Sequence, residues 1–199
     1  MWTPGHQFGS MHRKTIVRSL LWGRLAVVAY EDGTVTVRTP LERERRLNLA
    51  CQPSVLLTMI GPDAEDLLLV GDGHGRIHVI ELATVALRGR MDFGRGNIRA
   101  MAACPTEHGD VVVGTGQGHV FLLKLGSENV VDLATLDGPV SILKPEEGSL
   151  CATVRGVQVR MMWNGEVLAR VEPAEVTRRF PRHRKTLIAG YDAGSFLAA

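Results

Sequence analysis

The chain contains five copies of one short pattern, and this repeat constrains the fold more than any other feature of the sequence. The pattern is an apolar run, a tight turn that ends in glycine and, in the better copies, a run in which apolar residues alternate with others. It is clear at 25–38, 67–82 (LLLVGDGHGRIHVIEL) and 111–125, and weaker at 150–162 and 187–199. The glycines that close the turns are spaced by 42, 43, 38 and 38 residues, and they are Gly33, Gly75, Gly118, Gly156 and Gly194. A period near 40 residues indicates an array of supersecondary units.

The residue four positions before each of these glycines is always small. These residues are Ala29, Gly71, Gly114, Ala152 and Gly190. A small residue that recurs at the end of an apolar strand indicates that backbones crowd together there, so that a larger side chain would clash. The continuous apolar run before the turn predicts a strand covered on both faces, and the alternating run after it predicts a strand with one buried face.

Two more strands fit between successive turns. We predict them at 54–60, 87–93, 98–103, 130–136, 140–143 and 167–171. Four-stranded units at this period are the blades of a β-propeller. The sequence therefore predicts an all-β fold, a single β-propeller of about five four-stranded antiparallel blades. A long up-and-down sandwich is the competing interpretation, but it would not demand a small residue before every turn.

The combination of a small residue, three intervening positions, glycine and alternating apolar residues resembles the WD-repeat propeller family. The resemblance is clearest at 29–37 (AYEDGTVTV), where Asp32 matches the acidic residue of the family's Asp-Gly turn. The repeats are degenerate, and the Trp-Asp pair of the family is absent. The resemblance covers roughly 13–199 and implies a WD-like propeller architecture rather than any particular activity.

The repeat also predicts where the blades begin and end. They are expected at about 13–50, 51–93, 94–136 and 137–172, with a fifth at 173–199 that stops after its third strand. We expect the N-terminal segment 2–10 to supply the missing strand, because a ring protects its sheet edges only if it closes. The alternative is a partial propeller that is completed by oligomerisation.

Net charge, the length of the apolar runs and the cysteines limit the classes of function that the sequence supports. A formal net charge of +2 provides no general argument for nucleic acid or an anionic membrane. The apolar runs are too short for a transmembrane segment, and no signal peptide is visible, so we expect a cytoplasmic protein. The three cysteines, Cys51, Cys104 and Cys151, form no close pair in the sequence, which suits a reducing compartment and a role as small buried apolar residues.

Motifs that would indicate catalysis or cofactor binding are weak. The glycine-rich turn GDGHG at 71–75 is followed by a predicted strand, whereas a phosphate-binding loop needs a helix there. His74 and His78 are four residues apart, a spacing that brings side chains together on a helix but not on a strand. We therefore interpret the histidines as surface residues and predict no metal, no cofactor and no catalytic residue.

Two groups of charged residues are candidates for partner binding. The turns between the second and third strands face one side of every blade, so they would gather Asp32, Asp72, His74 and Asp192 around one acidic rim. Such residues are ordinarily solvated turn residues. The alternative is a carbohydrate-active enzyme, whose chemistry needs two carboxylates in a cleft.

The second group is a basic run in the last blade. Its residues are Arg178, Arg179, Phe180, Arg182, Arg184 and Lys185. This run could contact an acidic protein surface or, as the less favoured alternative, RNA or another polyanion. Because the strands keep their pattern while the turns vary, the sequence predicts a non-enzymatic protein–protein interaction or scaffold module. A homo-oligomer is expected if the ring does not close.

Overall fold

The computed structural model describes residues 14–39, 44–105, 109–127, 129–146 and 148–171. These residues form sixteen strands and no helix, so no helix among them is long and apolar enough to cross a membrane. The strands are β1 (Ile16–Trp22), β2 (Leu25–Tyr30), β3 (Thr34–Arg38), β4 (Arg45–Asn48), β5 (Pro53–Ile60), β6 (Asp66–Asp72), β7 (Arg76–Glu81), β8 (Ala86–Asp92), β9 (Ile98–Ala103), β10 (Asp110–Thr115), β11 (His119–Lys124), β12 (Asn129–Thr135), β13 (Val140–Glu146), β14 (Ser149–Val154), β15 (Val157–Met162) and β16 (Val167–Val171).

The strands form four antiparallel sheets of four consecutive strands, here called blades 1 to 4 in chain order. The first strands of successive blades contact one another, β1 with β5, β5 with β9 and β9 with β13, so they lie nearest the common axis. This is the arrangement of a β-propeller, and the predicted all-β propeller fold is confirmed. The six additional strands predicted between the turns correspond to β5, β8, β9, β12, β13 and β16, with small shifts at their ends.

The hydrophobic cores lie between neighbouring blades. In β6, Leu68 and Val70 pack towards blade 1, while Leu67 and Leu69 pack towards blade 3, and all four are buried. A strand that is covered on both faces needs apolar residues at successive positions. The continuous apolar runs before the turns are therefore explained by burial between two neighbouring blades.

The glycines that close the inner turns adopt the left-handed conformation, with φ of 83° at Gly33, 87° at Gly75, 92° at Gly118 and 85° at Gly156. Glycine adopts this conformation without the steric cost that a Cβ imposes. The carbonyl oxygen of Gly75 also accepts a hydrogen bond from the backbone of Phe93 in the connection to blade 3, at 3.3 Å. The carbonyl oxygens of Gly33 and Gly118 accept corresponding hydrogen bonds from Leu49 and Leu136, so these three turns pack against the chain that leads to the next blade.

The small residue before the turn is needed for the packing of one blade on the next at Gly71 and Gly114. A Cβ at Gly71 would lie 2.7 Å from the side chains of Val55 and Ile98, and Ile98 belongs to the first strand of blade 3. A Cβ at Gly114 would lie 2.5 Å from Val140, in the first strand of blade 4. The predicted crowding is therefore confirmed, and its cause is the neighbouring blade. The predicted fifth blade, 173–199 with 2–10, lies outside the described residues and stays a prediction.

Candidate functional site

Each innermost strand carries one residue that is left out of the pairing with the second strand. The register skips from Ile16 to Arg18 in blade 1, which leaves Val17 as a β-bulge residue. The corresponding residues of the other blades are Ser54, Arg99 and Ser141. A bulge turns a side chain away from the direction that regular pleating would give it. Here all four bulge residues line one depression at the propeller axis.

This central depression has a volume of about 400 Å³ and receives side chains from all four described blades. It is lined by Val17, Arg18, Gln52, Pro53, Ser54, Gly73, Asn97, Arg99 and Ser141. Within the part of the chain that the structure describes, the charged residues in this lining are both arginines, and the other polar residues are neutral. Such a surface has a positive potential and offers hydrogen-bond donors, so it suits a carboxylate or phosphate group better than a cation.

Hydrogen bonds between blades and turns hold the rim of the central depression in place. The Ser54 hydroxyl lies 2.9 Å from the carbonyl oxygen of Gly71 and 2.6 Å from that of Ile98, at the junction of blades 2 and 3. The backbone N–H of Gly116 donates to the carbonyl of Asn97 at 2.9 Å. The lining is therefore built on paired strands and restrained turns, which is how a binding surface is kept in a fixed geometry.

Asp72 is the last residue of β6, and its carboxylate folds back beneath the turn of blade 2, where it is completely buried. Its Oδ1 accepts hydrogen bonds from the backbone N–H groups of His74 (2.8 Å) and Arg76 (3.0 Å). Its Oδ2 accepts one from Arg76 Nε at 2.8 Å and lies 3.2 Å from His78 Nε2. Burial alone would raise the pKa of Asp72, but these hydrogen bonds outweigh it and hold the pKa below its usual range.

The interpretation of Asp72 as a solvated rim residue and of His78 as a surface histidine was wrong. Asp72 is fully buried and His78 is 2% exposed. His78 is buried because the residue three positions after the turn glycine faces the interior of its blade. The residues at this position in the other blades, Thr36, Phe121 and Val159, are also buried. A comparison of the repeats at this one position could have identified His78, because it is the ionisable member of the set.

Cys51 joins Asp72 and His78 in the interior of blade 2. It lies in the connection between blades 1 and 2, is buried, and is a free cysteine. The possible ligand atoms of the three residues all lie within 4.8 Å of one another. Burial, together with the nearby charge of Asp72, raises the pKa of the Cys51 thiol to about 11. The sequence did not predict this cluster, because the residues come from a connection, a strand end and a strand middle.

The predicted burial of the cysteines holds for Cys51, whereas Cys104 and Cys151 are half-buried. Asp32 and His74 are exposed in their turns, as predicted. The carboxylate of Asp32 is paired with Lys14 at 2.9 Å, and the hydrogen bond from Lys14 lowers the pKa of Asp32 to about 2. Neither Asp32 nor His74 lines the central depression. Among the described residues, the charges that line that depression are basic.

The other predicted site residues lie outside the described residues. They are Asp192 and the basic run formed by Arg178, Arg179, Phe180, Arg182, Arg184 and Lys185.

A second concavity, of about 550 Å³, lies between blades 2 and 3. It is at the end of the strands that is farther from the central depression. Its charged lining residues are Asp63, Glu65, Arg88 and Arg90, so both signs are present. Because the opposite charges offset one another, this concavity selects less clearly for one class of ligand than the central depression does.

No family model matches the sequence, and no curated protein matches it. Solved structures do resemble the fold. The computationally designed Ika8 protein matches with a TM-score of 0.65 and 16% identity over 79% of this chain and 49% of that chain. The computationally designed Ika4 protein matches with a TM-score of 0.64 and 16% identity, over 77% of this chain and 93% of that chain.

The WD40 repeats of RRP9 match with a TM-score of 0.64 and 15% identity, over 79% of this chain and 51% of that chain. The match therefore spans about half the length of the Ika8 protein and of the RRP9 structure. At such low identities the comparisons bear on architecture alone. They show that this chain has the fold of a β-propeller.

Proposed function

We propose that this chain is a non-enzymatic interaction module whose central depression binds an acidic segment of a protein partner. The observation that carries the proposal is the set of four β-bulges, which turns side chains from all four described blades into one depression. A surface assembled from several repeats can contact an extended segment at several points. Its fixed charges, Arg18 and Arg99, determine which chemistry is preferred.

The two arginines suit a carboxylate-bearing partner for a geometric reason. A guanidinium presents its N–H donors in a planar fork that matches the two oxygens of a carboxylate. Both Arg18 and Arg99 are exposed, so they stay hydrated until a partner covers them. Charges of this kind contribute mainly to the rate of association and to the rejection of basic partners.

The environments of Asp32 and Asp72, the predicted rim carboxylates among the described residues, support a binding function over a catalytic one. Glycoside hydrolysis needs a pair of carboxyl groups that face the substrate. Asp72 is enclosed with Arg76 and His78, and Asp32 is paired with Lys14. Neither carboxylate is therefore presented to a ligand in the central depression.

Charge reversal at the depression tests the proposal. Proteins captured from the native source by the full chain would be identified, and their affinities would be compared for wild type and the double variant Arg18→Glu/Arg99→Glu. We expect the double variant to lose at least about tenfold in affinity for a partner with an acidic segment, because attraction becomes repulsion. The loss should come largely from slower association and should shrink at high salt.

The matched control is Arg24→Glu/Arg90→Glu, which makes the same charge change at exposed arginines outside the central depression. Equal binding by both double variants and wild type would contradict the proposed surface. Retained binding by both variants together with competition by RNA would favour the polyanion alternative. Turnover of a glycoside by the wild type would contradict a non-enzymatic role.

A further inference from the structure

We propose that Cys51, Asp72 and His78 form a zinc-binding site inside blade 2, next to the central depression. The three residues supply a thiolate sulfur, a carboxylate oxygen and an imidazole nitrogen, which are the donor types that zinc takes in proteins. This inference does not depend on the proposed function. It concerns the interior of one blade, whereas partner binding concerns the surface above it.

The distances within the cluster fit a shared ion. Two ligand atoms, each about 2.0–2.1 Å from a tetrahedral zinc, lie about 3.3 Å from each other. Asp72 Oδ2 and His78 Nε2 are 3.2 Å apart. The three potential ligand atoms all lie within 4.8 Å of one another, a separation that small side-chain rotations can reduce to that of zinc ligands. Three protein ligands leave the fourth position of the ion for water.

The repeats themselves provide the comparison that singles out blade 2. The position of His78 is occupied by Phe121 in blade 3, where the ring packs against Phe93 with 5.0 Å between centroids. The position of Asp72 is occupied by Thr115 in blade 3. In blade 3, therefore, an apolar residue fills the position of His78 and a hydroxyl-bearing residue fills the position of Asp72, and the inner hairpin forms with neither ionisable group. Blade 2 instead places a thiol and an imidazole beside a carboxylate in its interior, and a shared metal ion would use one donor atom of each.

The surroundings of the cluster provide the support that a metal site needs. The backbone N–H groups of His74 and Arg76 hold Asp72 Oδ1, and Arg76 Nε holds Oδ2 from outside the trio. Such outer hydrogen bonds orient a ligating carboxylate. The residues that follow Cys51 and Asp72 in the sequence, Gln52 and Gly73, line the central depression, which provides the route by which an ion reaches the cluster.

Cobalt titration of the untagged full chain tests this site. The protein would be stripped with a chelator and titrated with Co²⁺, which reports thiolate ligation by a charge-transfer band and tetrahedral geometry by intense visible bands. We expect one Co²⁺ per chain, displaced by one Zn²⁺, and a rise in Tm when Zn²⁺ is added. Zinc content of the protein as isolated would be measured by elemental analysis.

Variants localise the ion. Cys51→Ser should lose the charge-transfer band. His78→Phe introduces the residue that blade 3 has at this position, and it should lower the affinity for zinc by at least about 10–100-fold. A loss of that size is typical when a residue that only hydrogen-bonds to a metal ligand is replaced. Cys151→Ser, a serine substitution at a half-buried cysteine in β14, should bind as wild type does. Absence of stoichiometric binding by the wild type would overturn the proposal. So would an unchanged band in Cys51→Ser, or unchanged affinity in folded His78→Phe.

Discussion

Asp72 is a buried charge that is retained because its surroundings are made of donors. Two backbone N–H groups and the guanidinium of Arg76 satisfy its carboxylate, and the side chain of Arg76 is itself largely shielded from solvent. A buried charge without such partners would be strongly destabilising. The same contacts fix the turn at Gly73, which lines the central depression. One side chain therefore links the stability of blade 2 to the shape of the proposed binding surface.

Replacement of this carboxylate should cost stability in a pH-dependent way. We expect Asp72→Asn to lower the free energy of unfolding by about 3 kcal/mol at neutral pH, since Arg76 loses its buried partner. The folded-state pKa of Asp72 is lowered, so its stabilisation is complete above the unfolded-state pKa of about 3.9 and is lost as pH falls through the folded-state value. The difference between wild type and variant should therefore shrink below about pH 4.

Urea denaturation of both proteins over a pH series, with chelator present, measures this difference. Asp63→Asn is the control, because Asp63 is exposed in the turn between β5 and β6 and its replacement should leave the free energy of unfolding at neutral pH close to that of wild type. A difference that stayed constant down to strongly acidic pH would show that the charge of Asp72 does not contribute.

The inner hairpins of the blades are closed by different residues and by turns of different length. In blade 3 the hydroxyl of Thr115 accepts a hydrogen bond from the backbone of His119 at 3.1 Å, as Asp72 accepts one from Arg76. In blade 4 the turn is two residues long, and Arg155 has a φ of 49°. Two-residue turns of this kind match the twist of paired strands. This tolerance explains why the turns vary while the strands keep their pattern.

The second strands are far less tolerant at the small position. We expect Gly114→Val to lower the free energy of unfolding by about 1–3 kcal/mol, because the added side chain meets Val140 of the neighbouring blade. Gly89→Val makes the same change in β8, where a Cβ meets nothing within 4 Å, and should be close to neutral or slightly stabilising. Thermal unfolding of the two variants against wild type is the measurement. Equal losses would show that blade packing is not responsible.

At the scale of the whole molecule, the described blades leave apolar side chains exposed on blades 1 and 4. Leu21 of β1 is 80% exposed, and Leu168 of β16 is 51% exposed. Blades 1 and 4 are the first and last members of the series that the contacts between first strands define. Such surfaces are ordinarily covered in a propeller, either by a further blade or by another chain.

Sedimentation of the full chain separates these two arrangements. We expect all 199 residues to sediment as a monomer, because 173–199 and 2–10 together carry the predicted fifth blade. A dimer whose population grows with protein concentration would instead support the partial propeller completed by oligomerisation. Measurement at several salt concentrations distinguishes apolar association, which persists at high salt, from association between charged surfaces.

The repeating unit of this protein follows from local features of its sequence. Spacing, alternation and the glycine at each turn are local properties, and they predicted the strands, the inner hairpins and the crowding at Gly71 and Gly114. Blade packing then follows, because a strand with two apolar faces has to be covered on both. The fifth blade at 173–199 rests on this pattern alone and stays a prediction.

The places where side chains from different blades meet depend on how the blades pack together. The central depression depends on four bulges, which are changes of pairing register that the repeat does not specify. The cluster of Cys51, Asp72 and His78 depends on a connection that folds back against the turn of the following blade. Periodicity identifies the face of a strand on which a residue lies, but contacts between distant segments are set by packing. For this reason the fold could be predicted in detail, and the sites required the structure.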